Sequence, residues 1–245
     1  MPELNTFSIV ARCRRTGMLG VAVSTAVPAV GAVCPYVEPG VGAVSTQSWV
    51  NPYLAIEALR LMRDGVSAPD ALARVIAADP GRDVRQIGVV DAAGRAAAHT
   101  GVACTDWCGQ IVEPDMAVQG NMLIGTATVE RMAEAFHGCA ALDLDERLLL
   151  ALEAGQAAGG DKRGKQSAAL KIFHVEDYAW LDLRTDEHRH PVAELRRIHA
   201  VAKLQLRPFL DGMPKRGEPA GPAPAGVASL LALPPTCRPG GSGGA

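Results

Sequence analysis

Two hydrophobic periods alternate along the chain, and the points where one gives way to the other divide it. Residues 6–12 (TFSIVAR) and 18–27 alternate apolar and polar positions at period two. Gly17 in the intervening CRRTG suits a turn, so the two runs read as a β-hairpin. In the first run Thr6, Ser8 and Val10 share one face, and Phe7, Ile9 and Ala11 the other. Two more short strands are expected around Gly31–Cys34 and Val41–Thr46. At NPYLAIEALRLMRDG the period lengthens to about 3.6, with Leu54, Ala58, Leu61 and Met62 in one stripe. Asn51 is the expected N-cap, Pro52 the first helical residue and Gly65 the stop. SAPDALARVIAADPG predicts a second helix with Ser67 and Asp70 at capping-box spacing, Leu72, Val75 and Ile76 inward, and Pro80 at its end.

RQIGVVDAAGRAAAHTG then predicts a strand, a tight turn at Asp91–Gly94 and a returning strand, and MAVQGNML one strand more. Two helices follow, the first with Val129, Met132, Ala133 and Phe136 at helical spacing, the second from Leu144 to Gln156 after Asp143. QSAALKIFHV and AWLDLRT return to β, and HPVAELRRIHAVAKL closes the pattern as an amphipathic helix. Helices that come in pairs between antiparallel strands cannot be the crossovers of a doubly wound parallel sheet, which needs single alternation. The expectation is an α+β fold of two stacked antiparallel sheets with helices on both outer faces. From Gly212 to Ala245, Gly and Pro supply 15 of 34 residues and periodicity vanishes. That stretch reads as a disordered tail in which VASLLAL is a short segment suited to docking.

Charge narrows the partners. With 24 basic and 26 acidic residues the formal net charge is −2, which leaves no electrostatic footprint for nucleic acid or an anionic membrane. A small molecule or short peptide is the expected partner. Pro2 and Glu3 give no basic n-region and no apolar run approaches a membrane span, so the cytoplasm is the expected location. The cysteines at 13, 34, 104, 108, 139 and 237 have irregular spacing and do not suggest a disulfide framework.

Four polar stretches interrupt an Ala/Val-rich chain: Asn5–Ser8, STQSWVN (45–51), QGNML (119–123) and GGDKRGKQS (159–167). Each falls at a strand end or in a helix-to-strand loop, where a sheet presents side chains into a cleft. Ordinary turn and cap chemistry accounts for such residues equally well. A threonine hydroxyl needs a base. If Thr6 became the first residue its own α-amine, with a free pKa near ~8, would serve. The six histidines show no triad-like arrangement. Cys104 and Cys108 with His99 offer only a wide metal spacing without a fourth ligand, so no metal and no cofactor are expected. GGDKRGKQS lacks the GK[ST] ending of a P-loop and precedes a strand.

The stretches TFSIVAR, LGVAVST, VGAVSTQSWVNP, AADPGRDVRQIGVVD, AAAHTG, QGNML, ALEAGQAAGGDKRGKQSAAL, WLDLR and HPVAELRRI, spread over residues 6–200, carry a resemblance. Together they resemble domain-of-unknown-function family 1028, assigned to the N-terminal-nucleophile (Ntn) hydrolase superfamily. The resemblance implies a four-layer αββα sandwich over residues 6–211, with residues 1–5 as a propeptide and an amide-bond hydrolase site at the end of the sheets. It selects Thr6 as nucleophile, Asn121 for the oxyanion hole and Asp161 to hold the α-ammonium. Ser24, Gln47, Asn51, Gly120, Arg163, Gln166 and Ser167 are the substrate-binding candidates. The cations Lys162, Arg163 and Lys165 suggest a substrate with a free carboxylate. A homo-oligomer is expected. The alternative is a binding or scaffold protein that keeps the fold with Thr6 blocked.

Overall fold

The computed structural model describes residues 6–218 and 221–240, so the expected propeptide lies outside the described residues. The strands are β1 (Thr6–Arg12), β2 (Leu19–Thr25), β3 (Pro35–Glu38), β4 (Gly42–Ser48), β5 (Arg85–Asp91), β6 (Ala96–Thr100), β7 (Gly109–Glu113), β8 (Met116–Asn121), β9 (Ser167–Phe173) and β10 (Leu181–Thr185). The helices are α1 (Pro52–Arg63), α2 (Ala68–Ala78), α3 (Ala127–Gly138), α4 (Leu144–Ala157), α5 (Pro191–Gln205), α6 (Arg207–Gly212) and α7 (Ala225–Ala232). The strands form one six-stranded sheet, ordered β10-β9-β2-β1-β8-β7, and one four-stranded sheet, ordered β3-β4-β5-β6. Every pairing within them is antiparallel.

Three apolar clusters define how these parts pack. Phe7, Ile9 and Ala11 of β1 meet Met132, Phe136, Leu148 and Leu152 of α3 and α4, with Leu195 of α5 in the same cluster. Val44, Ile87 and Val89 of the smaller sheet meet Leu54, Ala58, Leu72 and Val75 of α1 and α2. Val10, Val21 and Ala117 of the larger sheet meet Ala43 and Val90 of the smaller one. Each sheet thus turns one face to helices and the other to its fellow sheet, which is the alternation expected of strands buried on both sides.

The caps behave as the residue types require. Asn51 Oδ1 accepts from Tyr53 N–H at 3.1 Å, Pro52 opens α1, and Ser67 Oγ accepts from Asp70 N–H at 3.2 Å. At the β5–β6 turn Gly94 takes φ 85°, a conformation that favours glycine, while Asp91 Oδ1 accepts from the Ala93 and Arg95 amides, each at 3.0 Å.

Three local expectations are corrected. Gly31–Cys34 is not a strand: Val30–Ala32 is a 3₁₀ turn and the strand begins at Pro35. The Ser167 hydroxyl donates to Val27 O at 2.6 Å and accepts from Val30 N–H at 3.1 Å, which holds the segment curled. β7 was absent from the expected pattern because it is an edge strand without a buried face. In the stretch read as a disordered tail α7 forms, with Val227 buried, at the VASLLAL segment expected to dock.

Candidate active site

β1 lies between β2 and β8, and its register sets Thr6 opposite both Thr25 and Asn121. Thr25 in turn pairs with Ser167 on β9. One row across the end of the six-stranded sheet therefore reads Asn121, Thr6, Thr25, Ser167. Period-two alternation from Val10, Val21 and Ala117, which contact the other sheet, places this row on the face between the sheets. All four residues are buried, and the Thr6 hydroxyl donates to Thr25 Oγ1 at 3.2 Å.

Behind the row the space between the sheets is polar. Gln47 of β4 donates through Nε2 to the Thr6 carbonyl at 3.1 Å and to Gln86 Oε1 at 2.8 Å. Ser8 Oγ donates to Gln47 Oε1 at 2.6 Å and accepts from Gln119 Nε2 at 2.6 Å. Gln86 of β5 donates to Gly120 O at 2.8 Å and to Thr100 Oγ1 at 2.9 Å. Ser8, Gln47, Gln86 and Gln119 have no exposed surface, so these bonds replace water lost on burial, and Gln119 Oε1 alone of the four side chains' polar atoms has no partner among the described residues. The network fits only because position 88 is glycine: a Cβ there would stand 2.1 Å from Gln119 Oε1. The inter-sheet layer is thus apolar around Val10 and Val90 and polar toward Thr6.

Asp161 closes the end of the row. It forms an isolated bridge with Leu123, two residues beyond Asn121, and its Oδ2 accepts from the amide of Ala26, which follows Thr25. The carboxylate therefore sits just past the strand end that Thr6 begins. It also accepts from the Arg163 amide at 2.8 Å and the Arg163 guanidinium at 3.3 Å.

The remaining candidates divide. Ser24 Oγ donates to Ser167 O at 3.3 Å, which ties β2 to the start of β9, and Gln166 N–H donates to Thr25 O at 2.8 Å, which ties β2 to the loop before it. Gly120 supplies the carbonyl that receives Gln86. Gln47 is an internal strut, and Asn51 is not brought to the row, since its side chain caps α1. Lys162 donates to Asp106 O at 2.7 Å. Thr25 and Gln86 were not singled out in the sequence, and Gln119 only as the first residue of QGNML. Thr25 was within reach, because closing the first hairpin on Gly17 pairs it with Thr6, whereas the glutamines come from strands of different sheets. Among the described residues no group of three or more His, Cys, Asp and Glu side chains is placed to share a metal, and His99 turns to Arg82 O at 2.9 Å.

Fold and site together define an α+β protein of two antiparallel sheets with a threonine-headed polar row at one sheet end. The chain belongs to the family of unknown function DUF1028, whose model matches residues 6–195. It is similar to the crystal structure of protein SPO2555 from Silicibacter pomeroyi, of the same family. That similarity has 31% identity and a TM-score of 0.80, over 86% of this chain and 92% of that one. Weaker similarity is found to Anbu (ancestral beta-subunit) from Yersinia bercovieri, 12% identical with a TM-score of 0.39, over 86% of this chain and all of that one. Anbu from Hyphomicrobium sp. strain MC1 stands at 11% and 0.39, with the same coverage. No curated protein matches. Among the described residues no helix is long and apolar enough to cross a membrane.

Proposed function

We propose that the protein is an amidohydrolase of the N-terminal-nucleophile type, built as a four-layer αββα sandwich, with Thr6 as nucleophile. The observation that carries this reading is the placement of Thr6. It heads an interior strand of the larger sheet, faces the second sheet, and stands in one row with Asn121, Thr25 and Ser167. Cleavage of the peptide bond before Thr6 frees an α-amine with a pKa near ~8. The amine takes the hydroxyl proton, Oγ1 attacks the substrate carbonyl, and the C–N bond breaks as the ammonium returns that proton to the leaving amine. Water, activated by the same amine, then hydrolyses the ester and restores Thr6.

The other residues take supporting roles in this scheme. Asn121, with neighbouring backbone N–H groups, supplies the oxyanion donor. Thr25 orients the Thr6 hydroxyl across 3.2 Å, and Asp161, at the strand end, holds the α-ammonium. The Gln47 bond to the Thr6 carbonyl keeps the first residue of β1 in place. Arg163, with 36% of its side chain exposed, grips a free carboxylate, so the substrate class is a small acyl-amino acid or related amide. A homo-oligomer working on small molecules in the cytoplasm is the expected setting.

N-terminal sequencing of the purified protein tests the scheme. The mature chain should begin Thr-Phe-Ser-Ile-Val, and Thr6→Ala should keep the full N-terminus and lose all hydrolysis. Hydrolysis by a protein that retains residues 2–5 would refute the threonine mechanism. The full burial of Thr6 favours a second reading, a binding or scaffold protein with Thr6 blocked. An intact N-terminus without hydrolysis selects it.

A further inference from the structure

The far end of β1 opens into a cavity that the Thr6 chemistry does not use. β1 has seven residues, so at ~3.3 Å per residue Cys13 lies roughly 20 Å from Thr6. The cavity has a volume of about 590 Å³, and Arg12, Arg14, Arg15 and Arg147 line it together with Cys13 and Phe136.

The charges on its walls do not balance. Asp115 serves two guanidinium groups, Arg12 at 3.1 Å and Arg14. Arg15 turns to Asp143 at 2.7 Å, and Glu113 faces His137 at 2.9 Å. Arg147 has no carboxylate partner among the described residues, although only 9% of it is exposed. Its guanidinium lies 3.8 Å from the Phe136 ring centroid, and Nε and Nη2 donate to the Phe136 carbonyl at 3.3 and 3.2 Å. The Cys139 thiol is beside it. A ring face and a carbonyl orient a guanidinium, but neither supplies the counter-charge that a buried cation requires. Arg12 adds a buried Nε without an acceptor among the described residues. Burial pushes the Cys13 thiol up. The Thr16 hydroxyl, the Thr16 and Arg15 backbone and the Arg147 charge nevertheless outweigh this and hold it below the ordinary thiol value. Burial pushes the Cys139 thiol up, so it supplies no counter-charge to Arg147.

We propose that this cavity binds a small organic oxyanion, its charged group held by Arg147 and Arg12 and its body lying against Phe136, Pro114 and Ala140. The test follows the melting temperature, and the heat of titration, as inorganic phosphate or succinate replaces chloride at constant ionic strength. A saturable response to one of the two anions is expected, and the better one reports the head group. Arg147→Met should weaken it by about tenfold or more, the loss expected for one charge-assisted hydrogen bond. Ala141 is exposed at the cavity rim, so Ala141→Glu adds a competing carboxylate without disturbing the core, and the response should fall likewise. Phosphate also stabilises proteins by exclusion from their surfaces, but that effect is not saturable and survives both substitutions. Equal responses in the wild type and both variants, or no saturable response to either anion, overturn the proposal.

Discussion

Gln86→Met is the perturbation that asks most directly whether the buried polar layer holds the two sheets in place. Methionine keeps the length and most of the volume of glutamine, so packing changes little. Hydrogen bonding changes a great deal. Gly120 O loses a donor at 2.8 Å, Thr100 Oγ1 one at 2.9 Å, Gly109 O a longer one at 3.3 Å, and Gln47 Nε2 its acceptor at 2.8 Å. Thr100 still reaches Gln110, and Gln47 Nε2 still reaches the Thr6 carbonyl, so about one to two groups are left without an adequate partner. A buried polar group left unpaired costs about 1–3 kcal/mol, which gives a loss of roughly 2–4 kcal/mol. For a chain of this size that corresponds to a fall in melting temperature of roughly 5–15 °C. Gln110→Met is the matched control. Gln110 also makes two hydrogen bonds at 2.8 and 2.9 Å, but it is exposed and water replaces them, so its change should stay within about 0.5 kcal/mol. Urea unfolding and thermal scans of both variants decide the matter. Equal shifts, or no shift at Gln86, would refute the claim that desolvation makes this network structural.

Three further outcomes are expected. Asn121→Ala should lower turnover by about 10²–10³ with a smaller change in substrate binding, and an unchanged rate would remove it from the mechanism. Burial alone would raise the Asp145 carboxyl, but its 2.8 Å interaction with buried His199, the Glu146 backbone amide and the Lys203 charge together outweigh this and hold it below the usual carboxylate value. A lowered folded value means that the contribution is present above the unfolded pKa near ~3.9 and is lost as pH falls through the folded value. Asp145→Asn should therefore flatten the acid limb of stability against pH and cost about 1.5–3 kcal/mol at neutral pH, read by urea unfolding. Deleting residues 213–245 should cost about 1–2 kcal/mol, because Val227 of α7 is buried, and an unchanged melting temperature would show that α7 adds nothing.

What the sequence made legible depended on how local each cause is. Asn51, Pro52 and Ser67 act within one helical turn, so their caps were readable in place. The Asp91–Gly94 turn was readable for the same reason. The alternation of TFSIVAR correctly separated Thr6, Ser8 and Val10 from Phe7, Ile9 and Ala11. Ser167 marks the limit. Its hydroxyl holds Val27 and Val30, 140 and 137 residues away, and so turns an expected strand into a 3₁₀ turn. No window around residue 31 contains that information. Gln86 likewise looks like an ordinary polar strand residue until two sheets are stacked, Gln119 stood out only within QGNML, and VASLLAL stood out as a docking segment but not as the helix α7.

The site and its scaffold are consequently one structure. Ser8 and Val10 share a face of β1, yet the first meets Gln47 and Gln119 while the second meets the apolar inter-sheet cluster. A wholly apolar layer would bind the sheets as well, since polar burial gives little net stability. Its polar half instead fixes an orientation: Gln47 bonds Gln86 beside it on β5 and the Thr6 carbonyl across the gap between the sheets. A slip of one residue in the pairing of β4 with β5 would send Gln47 to the opposite face and take its bond from the Thr6 carbonyl. The network therefore specifies where the first residue of β1 stands, which is the requirement a nucleophile at a strand head imposes and a simple core does not.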